Sequence, residues 1–394
     1  MTPSPELLES VPEERLSSLR IVVVQGPYFP VPPLLNSGVE KMWYGLAREF
    51  RRRGCSVTQI SRRFGDLPEK GLDAGVQHVR LPSRDAPRSA AFYRAYDAIY
   101  SFRALRALPE DANIVITNCT WLPLLMRGRQ ARRLYVHVAR YPKGQMRLYR
   151  HAARLQAVST AVSKAIEREI PELTDRIVAI PPYTTNAEGG AGLGEPTERR
   201  EKLVLYLGRI HPEKGVHLLL DAFIRFAPSD WNLQISGSHE TRQGGGGEAY
   251  LARLKLAASR EPSRIAFTGS VPAAELNRQY RLAALLVYPS LAEFGESFGV
   301  VPLEAMACGC PAVVSDLACF RDYLIPGHNG YVFNHRSADP AESLGRELRS
   351  ALADPVGRSR IAEAGIRTSR HYSLQSVATL YLNDFFRVIR RGPA

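Results

Sequence analysis

The sequence predicts an α/β protein of two domains, each built on an open parallel sheet. Short β-branched and apolar runs alternate with helical segments along most of the chain, which is the pattern of strand–helix–strand units. A length of 394 residues favours two domains of ordinary size over one. A stretch rich in glycine and polar residues, 186–200, interrupts the alternation. Such a composition is typical of a flexible linker.

The individual elements follow from these runs in order. Leu19–Val24 is a β-branched run that ends at Gly26, and a helix is predicted over about Val39–Arg53, before Gly54. Further strands are predicted at Ser56–Ile60, Val76–Leu81, Asn113–Thr117, Leu134–Val138, Leu203–Leu207, Leu233–Ser236, Ile265–Thr268, Leu285–Tyr288 and Ala312–Ser315. The domains predicted from them are a disordered polar leader at 1–18, a first domain at 19–185, the linker at 186–200 and a second domain at 201–372. The last segment, 373–394, contains an amphipathic helix that could cover either domain.

Composition narrows the class of protein. A hydrophobic content of 45% with 23% charged residues is that of a soluble globular chain, and no apolar run is long enough to span a bilayer. The polar start lacks the features of a signal peptide, so we expect a cytoplasmic protein. Five cysteines without framework spacing predict reduced thiols. Cys308 and Cys310 could bind a metal with His328, although cysteines in such a run usually pack in a core.

The net charge of +13 predicts anionic partners. No helix-turn-helix, RNP or zinc-finger spacing is present, which argues against nucleic acid. Basic residues and aromatics concentrate in two stretches, 92–106 and Arg127–Arg154. The first is either an amphipathic helix with a solvated basic face or a docking face for a lipid surface or a bulky acceptor. A peripheral contact with the inner face of an anionic membrane is therefore one hypothesis.

Two carboxylates stand in an apolar run near the C-terminal third. Glu296 and Glu304 flank seven residues that are otherwise small or apolar, and burying an unpaired carboxylate is costly. Pro302 and Gly309 predict a helix with Glu304 in its first turn and Glu296 on the facing loop. The pair could hold one polyhydroxy ligand while the helix N-terminus binds an anion. By spacing alone, the two could also be the acid and base of a glycosidase.

A second run follows a predicted strand and opens a helix, at the position where open α/β sheets bind ligands. It reads G-R-I-H-P-E-K-G from Gly208 to Gly215. Arg209 and Lys214 suit a diphosphate, because one offers a planar fork and the other a mobile point charge. The alternative is two surface cations in a turn.

Two positions in the first half are further candidates. Asn36-Ser37-Gly38 lies between the first strand and helix, where backbone N–H groups could approach an anion or sugar. Ser37 could equally be an ordinary helix cap. His137 lies near the end of an apolar strand, and is either a core histidine or a site residue.

Absent motifs also limit the chemistry. The sequence has neither the G-x-x-x-x-G-K-[ST] phosphate loop nor the G-x-G-x-x-G dinucleotide motif. It has no Asp-x-Asp pair to hold a divalent metal on a nucleotide diphosphate. Positive charge from Arg209, Lys214 and helix N-termini would have to take the place of that metal.

Together these runs resemble glycosyltransferase family 4, which comprises retaining enzymes of GT-B architecture within the glycosyl transferases group 1. The resemblance extends from about Leu19 to Tyr381. Its residues are Glu296 and Glu304 with seven between them, the G-R-x-x-x-E-K-G run at 208–215, Phe267-Thr268-Gly269, Pro289-Ser290 and 304–309. Ser37, Val138 and Pro182 replace a glycine, an aspartate and an asparagine that are common in the family.

The resemblance implies two Rossmann-like domains facing across a cleft, with the C-terminal helix crossing back to the first domain. It implies that Glu304 binds the donor ribose, that Glu296 binds the transferred sugar and that Arg209 and Lys214 stabilise the leaving diphosphate. The catalytic set it implies is His137, Glu296, Arg209 and Lys214. The donor-binding set is Gly38, Arg209, Lys214, Gly237, Glu296, Phe298, Gly299, Val300 and Glu304. No metal and no cofactor are expected.

The function expected from this resemblance is transfer of a hexose-type sugar from a nucleotide-diphosphate sugar to a hydroxyl acceptor, with retention. The acceptor would be a glycan, a lipid-linked molecule or a small molecule. A sugar-nucleotide hydrolase or epimerase of the same fold, and a non-catalytic sugar-nucleotide-binding module, are the alternatives.

Overall fold

The computed structural model describes residues 13–35, 37–184 and 200–390. Residues 186–199 of the predicted linker and residues 1–12 of the predicted leader lie outside this range, as does Asn36. The chain divides into two compact units. The N-terminal unit contains residues up to Tyr183 and from Leu374 onward, and the C-terminal unit is Thr184–Ser373.

The N-terminal unit is an eight-stranded sheet flanked by helices. Its strand order is β3-β4-β2-β1-β5-β6-β7-β8, and all neighbours are parallel except β3 with β4. The strands are β1 Arg20–Val24, β2 Ser56–Arg62, β3 Lys70–Asp73, β4 Val76–Leu81, β5 Ile114–Thr117, β6 Leu134–Val138, β7 Arg154–Ala157 and β8 Ile177–Ala179. The helices are α1 Glu13–Ser17, α2 Gly38–Arg52, α3 Ala90–Arg106, α4 Leu122–Leu125 and α5 Thr160–Glu169.

The C-terminal unit is an all-parallel six-stranded sheet with the order β11-β10-β9-β12-β13-β14. The strands are β9 Glu201–Leu207, β10 Asn232–Ser236, β11 Ile265–Gly269, β12 Ala283–Tyr288, β13 Ala312–Ser315 and β14 Tyr331–Phe333. The helices are α6 Val216–Phe226, α7 Gly247–Ala258, α8 Ala273–Leu282, α9 Val300–Ala307, α10 Pro340–Ala353 and α11 Pro355–Arg370. All predicted strands are present within a few residues, whereas β3, β7, β8 and β14 were not predicted.

The last helix, α12 Leu374–Arg390, packs on α2 within the N-terminal unit. Its buried face, which includes Tyr381 and Phe385, belongs to the same apolar core as Trp43 and Phe50 of α2. The rings of Trp43 and Tyr381 lie 5.0 Å apart. The sequence left the partner of this helix open, and the predicted crossing to the first domain is confirmed.

Two predicted boundaries differ from the structure. Residues 13–17, assigned to the disordered leader, form α1, and Leu16 is buried in the core of the N-terminal unit. Arg200, assigned to the linker, is anchored in the C-terminal unit. Its guanidinium donates to the carbonyls of Tyr280 and Ala283 at the end of α8 and of Cys308 at the end of α9. The guanidinium has five N–H donors, and the last carbonyls of a helix have no partner within that helix, so the two suit each other.

Among the described helices, none combines the length and the apolar character needed to cross a membrane.

Candidate functional site

Three strands of the C-terminal sheet are followed by, or end in, a glycine at their carboxyl ends. Gly208 follows β9, Gly237 follows β10 and Gly269 ends β11, and all three have positive φ angles. A Cβ at Gly237 would lie 1.7 Å from the carbonyl oxygen of Gly208, so no other residue fits there. This edge is where open α/β sheets bind ligands. The donor contact predicted for Gly237 stays a prediction, and the structure adds a steric reason for the glycine.

Lys214 and Glu296 form a buried ion pair at this edge. The Lys214 Nζ donates to Oε2 of Glu296 at 2.5 Å, and the two residues are 6% and 8% exposed. The hydroxyl of Tyr288, at the end of β12, donates to the same oxygen at 3.1 Å. Burial raises the pKa of Tyr288 well above its usual value, and the Glu296 carboxylate adds to this effect. Tyr288 therefore stays protonated and remains a donor.

The turn that carries Lys214 is held by the loop that carries Glu296. Residues Pro212–Lys214 form a 3-10 turn after β9, and the Glu213 carbonyl accepts the Leu291 backbone N–H at 2.7 Å. A Cβ at Gly215 would lie 2.1 Å from the carbonyl oxygen of Pro289. The two motifs are thus packed together at backbone level, which brings Lys214 to Glu296.

Arg209 lies in a different environment from Lys214. Its side chain is 44% exposed and donates to the Glu213 carboxylate at 2.9 Å and to the Gly244 carbonyl at 2.5 Å. The surface-cation alternative is therefore wrong for Lys214, which is buried, while it describes the position of Arg209. A phosphate contact by Arg209 stays a prediction.

The start of α9 presents backbone N–H groups without a side-chain cap. Gly299 is the N-cap, with a φ of 76°, and Val300 is the first helical residue. A Cβ on Gly299 would lie 2.4 Å from the Phe320 ring, so the close packing requires glycine. An uncapped helix start suits an anion. Phe298 is 3% exposed and packs on Tyr323, so a donor contact there would involve its backbone.

Glu304 lies in the second turn of α9, because the helix begins at Val300 and the first-turn expectation is wrong. The hydroxyl of Tyr280 on α8 donates to its Oε2 at 3.0 Å. Tyr280 is 1% exposed, and burial raises its pKa well above the usual value. A buried phenol that remains a donor orients the carboxylate of Glu304.

In the N-terminal unit, His137 is a buried neutral imidazole. Burial lowers the pKa of His137 to about 4, although its bond to Gln156 opposes this. The Gln156 amide nitrogen donates to the carbonyls of Ala157 and Ile180, so its Oε1 must accept from His137 Nδ1 at 2.5 Å. His137 Nε2 is then an acceptor, and it has no hydrogen-bond partner among the described residues. His137 therefore lies in the core, as the first interpretation expected. It also has an acceptor atom that the described residues leave unpaired, which a site residue could use.

The start of α2 also lacks a side-chain cap. Ser37 is the N-cap, but its hydroxyl donates to the Glu40 carboxylate instead of capping a backbone N–H. The ordinary-cap alternative is therefore wrong, and the N–H groups at Gly38 keep the arrangement expected for anion binding. Glu40 itself received no role from the sequence. It is 3% exposed, and no local sequence signal marks it, because Lys41 follows it and its burial depends on the packing around α2.

The fold shifts the titration of Glu40. Burial raises the pKa of Glu40 to about 7, against 4.5 for an ordinary glutamate. Between these values the folded chain holds a proton that the unfolded chain has released, so the free energy of unfolding falls as the pH rises from about 4.5 to 7. The full loss, about 3 kcal/mol, is reached above pH 7.

Glu40→Gln is expected to stabilise the protein by up to about 3 kcal/mol at pH 8 and only slightly near pH 4.5. Urea unfolding at the two pH values measures the difference. Glu248→Gln, whose side chain is 85% exposed, is the control. An equal effect of Glu40→Gln at both pH values would contradict the predicted titration.

The five cysteines are unpaired, as predicted. Cys310 is buried and Cys308 half-buried. Within residues 13–35, 37–184 and 200–390, no group of three or more His, Cys, Asp or Glu side chains could hold a metal ion, and Cys308, Cys310 and His328 form no such group.

Two family models match the chain in succession. The model described as Glycosyltransferase Family 4 matches residues 36–186, and the model described as Glycosyl transferases group 1 matches residues 194–368. Together they include Gly38 and His137 in the first match, and Arg209, Lys214, Glu296 and Glu304 in the second.

Curated relatives agree with these models. The phosphatidyl-myo-inositol mannosyltransferase of Mycobacterium leprae is 33% identical over 197 residues, 49% of each chain. The lipopolysaccharide 1,2-N-acetylglucosaminetransferase of Salmonella typhimurium is 25% identical over 377 residues, 91% of this chain and 96% of the relative. The chain spans about half the length of several other curated relatives, among them the Mycobacterium mannosyltransferases.

Solved structures share the fold. Sucrose-phosphate synthase of Thermosynechococcus elongatus has a TM-score of 0.73 at 19% identity, over 95% of this chain and all of that one. Anabaena HepE, solved with UDP and glucose, has a TM-score of 0.71 at 16% identity, over 94% of this chain and all of that one. With its two parallel-sheet units and both family matches, the chain belongs to glycosyltransferase family 4 and has the GT-B fold.

Proposed function

We propose that this protein is a retaining glycosyltransferase that moves a hexose-type sugar from a nucleotide-diphosphate sugar to a hydroxyl acceptor without a metal. The buried Lys214–Glu296 pair at the carboxyl edge of the C-terminal sheet carries the proposal. A buried ion pair adds little to stability by itself, because desolvation offsets the attraction. Its position at a ligand edge, beside the uncapped start of α9, suits a ligand with both phosphate and hydroxyl groups.

The two partners have separate roles when the donor binds. Lys214 donates hydrogen bonds to the diphosphate while it remains near Glu296. Glu296 accepts hydrogen bonds from hydroxyls of the transferred sugar. The N–H groups of Gly299 and Val300 add donors to the same phosphates. Tyr288 keeps the Glu296 carboxylate in place throughout. The site thus holds the sugar and the leaving group with one preformed cluster.

The reaction is a displacement on one face of the sugar. The bond from the anomeric carbon to the diphosphate oxygen breaks, and the bond to the acceptor oxygen forms on the same face. The acceptor proton passes to the departing phosphate oxygen. Negative charge grows on the diphosphate as it leaves, so fixed cations lower the barrier most at the transition state.

In the N-terminal unit, His137 and Gly38 would contact the donor. His137 Nε2 is a buried acceptor without a hydrogen-bond partner among the described residues, and a sugar hydroxyl would supply one. This atom does not suit a phosphate, because a neutral imidazole with Nδ1 protonated offers no donor at Nε2. The backbone at Gly38, which no side chain caps, suits a phosphate oxygen.

Known relatives suggest the class of substrate. HepE has been solved with UDP and with UDP-glucose, and starch synthase IV with ADP. The relatives named above act as a phosphatidyl-myo-inositol mannosyltransferase and a lipopolysaccharide N-acetylglucosaminetransferase. We therefore propose a nucleoside-diphosphate hexose as donor and a lipid-linked or glycan hydroxyl as acceptor.

A donor panel tests the proposal. A donor that binds the folded chain raises its melting temperature, and saturation at 100 times Kd adds about 2.7 kcal/mol. Hexose conjugates of UDP, GDP, ADP and TDP are compared by thermal shift. The stabilising donor is then incubated in labelled form with inositol lipids and lipopolysaccharide cores, with and without EDTA. Transfer that EDTA leaves unchanged, with the donor's anomeric configuration in the product, supports the proposal. Sugar release without any transfer would instead indicate a hydrolase.

Glu304→Gln is expected to raise the KM for the donor about tenfold or more with little change in kcat. The substitution retains a hydrogen-bond partner for Tyr280 but removes the charge, and hydrogen bonds to charged groups contribute about 1.5–3 kcal/mol. Steady-state kinetics with varied donor measures the effect. Glu363→Gln, at an exposed position on α11, is the control. An unaltered donor KM would remove Glu304 from the donor site.

A further inference from the structure

The N-terminal unit exposes large apolar side chains on one helix. Phe92, Ile99 and Phe102 of α3 are 60%, 52% and 47% exposed. Spacings of seven and three residues place them on one face of the helix. Single exposed apolar residues are ordinary, whereas several on one face mark an interaction surface.

A loop that contacts the start of α3 also exposes apolar side chains. Phe29, Leu34 and Leu35 lie between β1 and α2 and are 39%, 60% and 39% exposed. The loop is held against the start of α3, because the rings of Tyr28 and Tyr93 lie 4.2 Å apart and the Tyr28 hydroxyl donates to the Tyr93 carbonyl. We call the exposed side chains of Phe29, Leu34, Leu35, Phe92, Ile99 and Phe102 the apolar patch.

The exposed charges on the face of α3 that carries Phe92, Ile99 and Phe102 are basic. Arg103 and Arg106 are exposed and follow Ile99 by four and seven residues, so they share its face. The Arg106 guanidinium lies 4.5 Å from the centre of the Phe102 ring. The acid of α3, Asp97, is 4% exposed and accepts from the Ser101 hydroxyl. The outer face of α3 is therefore both apolar and positive.

We propose that the apolar patch and its arginines dock the N-terminal unit onto an anionic lipid surface. Aromatic and aliphatic side chains insert at the headgroup level while arginines pair with anionic lipids, as in interfacial amphipathic helices. Two features favour lipid over a protein partner. Arginines alternate with the apolar side chains instead of surrounding them as a rim, and the charge complements an anionic leaflet.

The docking surface leads directly to the candidate site of this unit. Leu34 and Leu35 precede the uncapped start of α2 at Gly38 by only a few residues. A docked chain therefore holds this helix start close to the headgroups. A hydroxyl acceptor with a lipid anchor then reaches it without leaving the membrane. This last step rests on the proposed function, whereas lipid docking itself does not.

Sedimentation with vesicles tests the docking without any donor or acceptor, so its result does not depend on the proposed reaction. We expect binding to phosphatidylcholine vesicles with 30% phosphatidylglycerol, weaker binding to pure phosphatidylcholine, and loss of affinity with added salt. Phe92→Gln/Ile99→Gln/Phe102→Gln should lower the partition coefficient at least about tenfold. Arg103→Gln/Arg106→Gln should lower it about 25-fold, since each arginine near an anionic surface contributes about a factor of five.

The C-terminal unit supplies a matched control. Leu256 and Val356 are 75% and 79% exposed there, and Leu256→Gln/Val356→Gln should leave vesicle binding unchanged. Three results would overturn the proposal. These are no binding of the unaltered chain to anionic vesicles, an equal loss in the control, and a change in oligomeric state with vesicle binding retained in the triple variant. The last result would assign the surface to contacts between copies of the chain.

Discussion

Lys214→Met is expected to lower kcat by about 100- to 1,000-fold, since a lost donor to a developing negative charge costs about 3–4 kcal/mol at the transition state. Lys214 is 6% exposed and bonded to Glu296, so water replaces it poorly. Turnover of the labelled donor under saturating conditions measures the effect. An unchanged kcat would remove Lys214 from leaving-group stabilisation.

A second variant separates catalysis from stability. Lys214→Met alone leaves the Glu296 carboxylate buried without its cation, which destabilises the C-terminal unit. Lys214→Met/Glu296→Gln removes both charges, and we expect it to regain thermal stability but no activity. Lys202→Met, at a lysine that is 60% exposed and paired with Asp230, is the matched control and should retain turnover.

Asp384→Ala is expected to destabilise the N-terminal unit by about 3–5 kcal/mol, the usual cost of breaking a buried ion pair. Asp384 of α12 accepts from Arg154 of β7 at 2.6 Å and from the Tyr135 hydroxyl at 2.9 Å. The Arg154 and Asp384 side chains are 6% and 1% exposed. The substitution leaves the Arg154 guanidinium buried without its carboxylate partner. It also removes the polar contacts that hold α12 on the sheet.

Urea unfolding followed by tryptophan fluorescence measures this loss, because two of the three tryptophans, Trp43 and Trp121, lie in the N-terminal unit. Arg154→Met/Asp384→Leu is the matched variant. Replacing a buried pair by apolar residues is often neutral, so we expect most of the stability to return. If Asp384→Ala costs no more than about 1 kcal/mol, the pair does not hold α12 in place.

Local patterns predicted much of the fold. β-branched runs located β1, β5, β6 and β13, because a strand buried on both faces needs a short apolar run whatever its neighbours are. The strand β7, Arg154–Ala157, was missed for the opposite reason. It contains a buried arginine and a buried glutamine. Asp384 pairs with the arginine and His137 bonds the glutamine, and neither partner is near in sequence.

The same limit applies to the site. Spacing selected Glu296, Glu304, Arg209 and Lys214, since strand ends and helix starts are local features. It did not pair Lys214 with Glu296, 82 residues away, or distinguish buried Lys214 from exposed Arg209. Glu40 was missed because its burial depends on how other strands pack around α2. For α3 the sequence left two interpretations open, a solvated basic face and a docking face. It did not show which aromatic side chains of the helix are exposed, because aromatic residues at helical spacing are usually in a core.

The sequence by itself determined the alternation of strands and helices, the glycines at the strand ends and the family to which the chain belongs. Each of these depends on residues that are close together in the chain. The tertiary structure alone decided which charged side chains are buried, which partners they have and which apolar face remains exposed. Desolvation and pairing depend on the three-dimensional surroundings of a group, and these are assembled from segments far apart in sequence.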